Sequence, residues 1–482
     1  MRKKLTLALV MLALTPWAGQ AQDAKAVLDG AVKAMGDVNS LQFSGSGAYF
    51  AFGQAYTPGA EWPRFGVKSY SRTVDYKTPA MRDEYVRADG DPTARGGGAP
   101  LPPGQRATQA VSGKLAWNQA GENPPVAAPA AVADRLHQLW ITPHGVLKAA
   151  ANHNAAIETK SDGGKKTTTV SFAVPDLLQA KAMLNDKNLV EKVESWSTDP
   201  VLGDTLTETV YADYKDFGGV QFPTRISQKR GGQPTLDLAV TEAKANIPAD
   251  IKAPDSVTQA AVRVQADKIA DGVWYLTGGT HHSVLVEMSD HLIVIEGPQN
   301  DARAIAVIEE AKKLVPNKPI KYVVNTHKHF DHAGGLAAFA ADGAIVVTHD
   351  ASKAFLEKSL SAPRMIQPDK LAKSGKKPVI EGMQEKRVLS DGTRTVELHL
   401  IQGTTHDDGI IMAYLPKEKL LVEADVFTPA AANAPRPAQP NPNSVAFNDN
   451  IDRLNLAVEQ ILPLHGRKVS LAEFQAWIGK GS

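Results

Sequence analysis

The residues best equipped for chemistry crowd into one stretch, Val324-Asn325-Thr326-His327-Lys328-His329-Phe330-Asp331-His332. Four metal-capable side chains, His327, His329, Asp331 and His332, fall within six residues, and three of the chain's 13 histidines are among them. Imidazole and carboxylate are the ordinary ligands of zinc and of its neighbours in the transition series. Side chains alternate in direction along an extended loop, so His327 and His329 point the same way and can share one ion. Asp331 and His332 come where the chain must turn, and can face a second ion.

Two elements must hold this stretch. The run 320–324 before it is β-branched and aromatic, which predicts a buried strand. Gly334 and Gly335 then give way to Leu336, Ala337, Ala338 and Phe339, which predicts a helix start. A strand-to-helix loop is where a rigid scaffold presents functional groups. Three later segments each place a metal-capable residue at the end of an element: Thr404-Thr405-His406-Asp407-Asp408, Val422-Glu423-Ala424-Asp425 and Leu462-Pro463-Leu464-His465.

With these residues in place the sequence resembles the metallo-β-lactamase fold superfamily, whose H-x-H-x-D-H signature is matched by His327 to His332. The resemblance covers the region from Val262 to the C-terminus, and implies an αββα sandwich there. It further implies one ion held by His327, His329 and His406, a second held by Asp331, His332 and His465, and a bridging carboxylate at Asp425. The implied cofactors are two zinc ions, with iron or manganese as alternatives. Zinc lowers the pKa of bound water to roughly 7, so the expected reaction is attack of a metal-bound hydroxide on an ester, thioester, lactone or amide carbonyl. Asp331 is the expected catalytic residue, orienting the nucleophile or relaying a proton.

Within the superfamily the ligand set is closer to glyoxalase II and the lactonases than to the true β-lactamases. Two β-lactamase subclasses carry a cysteine ligand where this chain has Asp425, and the chain has no cysteine. β-Lactam hydrolysis and a mononuclear-iron sulfur dioxygenase remain as alternatives; a periplasmic carrier with an accessory metal domain is the non-enzyme alternative. Where many members have an aspartate before the first helix, this sequence reads Ile295-Glu296-Gly297-Pro298, so Glu296 is a candidate to hold a ligand histidine in its tautomer. His281 and His282 are further candidates near the site.

The rest of the chain reads as support. Residues 1–21, with Arg2, Lys3 and Lys4 before an apolar stretch and Gly19-Gln20-Ala21 at its end, read as a signal peptide. A periplasmic or secreted protein is expected, with no transmembrane segment after cleavage. Residues 22–245 read as an α+β domain with one curved antiparallel sheet: a helix over 23–35, strands near 41–47, 66–76, 82–87, 167–172, 189–196, 206–214, 220–228 and 235–243, and an amphipathic helix over 131–151. The Gly/Pro-rich segment 88–105 reads as a mobile hairpin connection. In its strand-and-turn pattern this half resembles the lipoprotein-carrier-like periplasmic half-barrels, which implies an apolar ligand. His137, His144 and His153 are expected at the surface or on a helix. Residues 246–261 read as a linker, and 262–482 as the metal domain, with one strand expected over 269–276. A formal net charge of +1 and the lack of long basic runs argue against nucleic acid and point to a small-molecule substrate.

Overall fold

The computed structural model describes residues 18–89, 95–98, 103–162, 165–260, 263–432 and 434–480. The basic and apolar part of the expected signal peptide lies outside these residues. The chain is α+β and builds three sheets.

The first sheet has thirteen strands, and every pairing in it is antiparallel. The strand Ser40–Phe50 pairs on one side with Arg64–Asp75 and on the other with the sheet's central strand, Gln233–Ala245. Register shifts at Ser44/Gly45 and Gly45/Gly47 interrupt both ladders, and such bulges bend a strand. The helices Ala18–Met35, Val132–Trp140 and Pro143–Asn152 touch strands from both ends of the sheet, so the sheet curves around them. Leu41, Phe43, Val74, Leu139, Leu147, Phe222 and Leu238 share the resulting core.

Two sequence expectations change here. The single helix expected over 131–151 is two helices, because Thr142 caps a new start, accepting from Gly145 N at 3.2 Å, and Pro143 follows at the first helical position. His137 and His144 stand on these two helices, as expected, and face the core, 0% and 3% exposed. The strand expected over 269–276 is a hairpin of Gln265–Ala270 and Val273–Thr277, turned at Asp271-Gly272 with Gly272 at φ +69. That Asp-Gly pair is a strong hairpin signal.

The other two sheets face each other. The second runs through Gln265–Ala270, Val273–Thr277, Ser283–Glu287, Leu292–Ile295, Ile320–Val324, Ile345–His349 and Val379–Met383 in spatial order, and its last pairings are parallel. The third is ordered Lys386–Ser390, Thr395–Leu400, Ile411–Leu415, Leu420–Glu423, Gln460–Pro463 and Val469–Ser470. Alternate residues sort the layers, as a strand requires. Val284, Val286 and Ile295 point between the sheets to meet Val396, Leu398 and Ile411. Leu285 and Val294 point outward to the helices Asp301–Leu314, Leu336–Asp342 and Asp350–Leu360. On the far side Phe447 and Phe474, from the helices Pro442–Arg453 and Leu471–Ile478, cover the third sheet. The order is helix, sheet, sheet, helix.

Among the described residues, two junctions between the halves of the chain bear on the site. At the first, Ser359 Oγ donates to Val201 O at 2.5 Å and Arg364 Nη2 to Pro200 O at 2.8 Å, which ties residues 359–364 to a turn of the first sheet. The second junction is the loop after Ser40–Phe50, which reaches the histidine-rich stretch 327–332. No helix among the described residues is long and apolar enough to cross a membrane.

Candidate metal centre

Val324 ends its strand inside the sandwich, and Asn325 fixes the loop that begins there. Its buried amide donates to His327 O at 2.6 Å, and its Oδ1 accepts from Thr348 on the neighbouring strand at 3.2 Å. His329 stands before the short helix Phe330–Ala333, its carbonyl accepting from His332 N and Ala333 N, both at 2.9 Å. Gly334 is required next: a Cβ there would fall 2.0 Å from Gln299 O. The loop thus folds tightly against the segment that carries Glu296.

The structure brings all seven expected ligand residues together, in two groups. Ligand atoms of His327, His329, His406 and Asp425 lie within 4.8 Å of one another, and so do those of His281, Asp331, His332 and His465. Asp425 stands between them. Its Oδ2 is 2.9 Å from His406 Nε2, 3.2 Å from His332 Nε2 and 3.5 Å from His327 Nε2, while Oδ1 is 2.9 Å from His465 Nε2. Both Asp425 (φ +62) and Glu296 (φ +81) adopt the left-handed region, where backbone strain collects at functional sites.

The outer nitrogens have partners that orient the rings, as metal-ligating histidines do. His332 Nδ1 donates to Glu296 Oε2 at 3.0 Å, and His465 Nδ1 to Thr280 O at 3.0 Å. His327 Nδ1 meets Thr326 Oγ1 at 3.1 Å, and that hydroxyl in turn donates to Glu296. His329 Nε2 donates to Ala55 O at 3.1 Å, which leaves Nδ1 buried and without a hydrogen-bond partner among the described residues. A ring held in that tautomer offers its free lone pair to a cation. The donor set therefore fits metal ions.

Electrostatics divide the cluster. Burial, with the neighbouring imidazoles, pushes His327 down to about 3 and His329 well below the usual range. Burial acts the same way on His332 and His465, but the carboxylates, Asp425 foremost, overcome it and raise both. Asp425 and Asp331 are held well below the usual carboxylate range, because facing imidazoles outweigh burial. Glu423 behaves oppositely: burial and the charge of Asp425 drive it far up.

Of the further sequence candidates, Glu296 lies at the centre, fully buried between Thr326 and His332. His281 joins the second group, its Nε2 3.1 Å from Asp331 Oδ2. His282 does not: its Nε2 donates to Gly466 O at 2.8 Å and its ring packs on Tyr275, so it supports the loop of His465.

Sequence reasoning missed the contribution of the first half of the chain. Gln54 Nε2 donates to Asp331 Oδ1 at 2.8 Å, Ala55 O holds His329, and Tyr56 O accepts from Lys328 Nζ at 2.7 Å and from Asp408 N at 3.1 Å. Lys328, buried between the two ligand histidines, also pairs with Asp407. Gly96 N donates to Thr405 O at 2.8 Å, so the described part of segment 88–105 is tied to the site. A Cβ at Gly97 would fall 2.1 Å from Gln54 Oε1 and 2.8 Å from His406 Cε1. A lysine inside H-K-H, matched by Asp407 and Asp408, was the one local signal available.

Residues 276–431 match the family model of the metallo-beta-lactamase superfamily. The 2,4-dinitroanisole O-demethylase subunit alpha of Nocardioides sp. (strain JS1661) is 26% identical over 232 residues, 47% of this chain and 65% of that protein. The chain thus spans a little under two thirds of the length of this curated relative. A metallo-beta-lactamase from Pontibacter korlensis aligns over 45% of this chain and 98% of its own, with 18% identity and a TM-score of 0.35. One from Hirschia baltica aligns over 45% and 96%, with 19% identity and a TM-score of 0.34. The chain thus carries a segment similar to the metallo-β-lactamase superfamily, at residues 276–431, after a sheet-rich N-terminal domain.

Proposed function

We propose that the protein is an exported hydrolase with a binuclear zinc centre, acting on an ester, thioester, lactone or amide. Its domains are residues 22–245 and 262–482, joined by 246–261 after a signal peptide over 1–21. The observation that carries this reading is the position of Asp425, whose two oxygens face the two histidine groups from between them. That is the place of a bridging carboxylate. His327, His329 and His406 would hold one ion, and Asp331, His332 and His465 the other, a set like that of glyoxalase II.

Bound there, the ions supply Lewis acidity and make water a stronger acid. The chain's own groups do the rest. Asp331 is the most open of the cluster's carboxylates, with its side chain 34% exposed. Gln54 and His281 fix its two oxygens, so it is oriented to take a proton from the attacking water and to pass one to the leaving group. In the net reaction the water oxygen bonds to the carbonyl carbon, the bond from that carbon to the leaving atom breaks, and the leaving atom gains the proton. Thr326 and Glu296 keep the histidines in register throughout.

The test is turnover by zinc-loaded protein beginning at Gln22 against thioester, lactone, β-lactam and phosphodiester substrates, with Asp331→Asn as the control. The relative's printed name concerns an O-demethylase, so 2,4-dinitroanisole belongs in the same panel. Hydrolysis of one carbonyl class, lost in Asp331→Asn, is the expected result. Iron with oxygen consumption on a thiol substrate would move the protein to dioxygenase chemistry instead.

A further inference from the structure

The curved sheet holds a cavity of about 500 Å³ that belongs to neither metal group, with Gln54 and Gly98 in the wall nearest the metal centre. That volume suits a small organic molecule. Aromatic rings line it, Tyr49, Phe52, Tyr70 and Tyr85 among them. So do five charged residues, Arg72, Arg135, Arg230, Asp83 and Asp134.

One of the three arginines stands outside the ion pairs. Arg72 binds Asp83 through two bonds of 2.7 Å, and Arg230 binds Asp134 at 2.5 Å and Asp199 at 3.2 Å. Arg135 has no carboxylate within ion-pair distance among the described residues. Its guanidinium, on a residue only 7% exposed, donates to Ala110 O at 2.8 Å, to Trp117 O at 2.7 Å and to Asn118 Oδ1. All three acceptors are neutral, and Asp134 and Asp83 act on it only through space, so the buried cation lacks a direct ion-pair partner. Independently, the hydroxyl of Tyr70, 6% exposed, lies beside the Arg72–Asp83 pair but forms no hydrogen bond of good geometry among the described residues. Arg230 Nε is likewise unpartnered. Arg135 and Tyr70 line the same cavity as the aromatic rings, so the lining offers a cation and a hydroxyl to an anionic head and ring faces to a planar body.

We infer that this cavity is a binding site for a small aromatic carboxylate, distinct from the metal centre. Its polar lining distinguishes it from the apolar-ligand site that a carrier-like half-barrel implies. The inference does not depend on the hydrolase reading.

The experiment is calorimetric titration of 2-naphthoate into the full metal-loaded chain, with neutral 2-naphthamide in parallel. Saturable binding near one per chain is expected, weaker for the amide by about tenfold, the worth of a hydrogen bond to a charged partner. Arg135→Gln should weaken naphthoate by about tenfold or more, and Tyr70→Phe by about threefold. Tyr70→Phe removes only a hydroxyl that forms no hydrogen bond of good geometry among the described residues, so it reports on the site even where Arg135→Gln fails to fold. Binding must also persist after the metal is removed with a chelator. No saturable binding, equal affinity for the amide, indifference to both substitutions, or loss of binding with the metal would each overturn the inference.

Discussion

His137 and His327 are both completely buried, and burial is the chief reason that each is pushed down, to about 4 and about 3. Only one belongs to a metal group. His137 Nε2 meets a single serine hydroxyl, Ser195, at 2.8 Å inside an apolar core. His327 Nε2 lies 3.3 Å from His406 Nε2 and 3.5 Å from Asp425. An unpartnered Nδ1 does not separate the two regions either, since His137 and His329 both have one. What separates them is convergence: His329 belongs to a group of four residues whose ligand atoms lie within 4.8 Å of one another. Burial and a displaced pKa mark many interior histidines; several free lone pairs aimed at one point mark a metal site.

The largest expected contrast comes from removing one histidine of each kind. His332→Ala should cost activity by more than the roughly 10–100-fold lost with an outer partner, and should empty its half of the centre. His137→Leu should leave both metal content and turnover unchanged, since its ring touches no member of the cluster. Equal losses in the two variants would remove the distinction.

Glu296→Gln comes next. It keeps the shape but gives His332 and Thr326 an uncharged partner in place of the buried carboxylate. Metal affinity measured by equilibrium dialysis should fall by about 10–100-fold. Unchanged affinity would rule out Glu296 as the group that sets the His332 tautomer.

The core histidines predict a pH effect on stability. His137 and His144 titrate near 4 when folded, against an ordinary 6.5. The unfolded chain therefore binds more protons between these values, and stability falls as pH drops through that window while being fully present above 6.5. By pH 5 the loss is about 2 kcal/mol for each histidine. Urea unfolding followed by circular dichroism at pH 7 and pH 5 reads it, and His137→Leu should flatten the dependence by its share. A midpoint that does not move would contradict their burial as neutral rings.

The smallest expected effect is Gly97→Ala. The added methyl would fall 2.1 Å from Gln54 Oε1 and 2.8 Å from His406 Cε1, so the Gln54 side chain must swing away or the loop over the centre must move. Turnover should drop by about tenfold with little change in melting temperature, since such misplacement acts on orientation. Full activity would mean that the loop yields freely.

The metal loop was legible because its ligands are close in sequence: His327 to His332 announce themselves, and the flanking periodicity places them between a strand and a helix. Glu296 was also readable, as a carboxylate at the end of a buried strand. Local signals that were present but outweighed explain some misses. Asp271-Gly272 turned an expected strand into a hairpin, and Pro143 split an expected helix. Gln54, Ala55 and Gly97 could not be read at all, because their relation to His329, Asp331 and His406 exists only once the two halves pack. Ala55 acts through its carbonyl, which no side-chain pattern reveals. The same limit left His281 and His282 undistinguished as candidates, and only His281 reaches Asp331.

The most direct measurement is the metal content of purified wild-type chain and of Asp425→Ala by plasma mass spectrometry, with hydrolysis assayed on the same samples. About two transition-metal ions per wild-type chain are expected, with loss of metal and of turnover together when Asp425 is replaced. A wild-type chain that binds no metal, or an Asp425→Ala variant that keeps its metal and its turnover, would contradict Asp425 as the group that joins two metal sites into one centre.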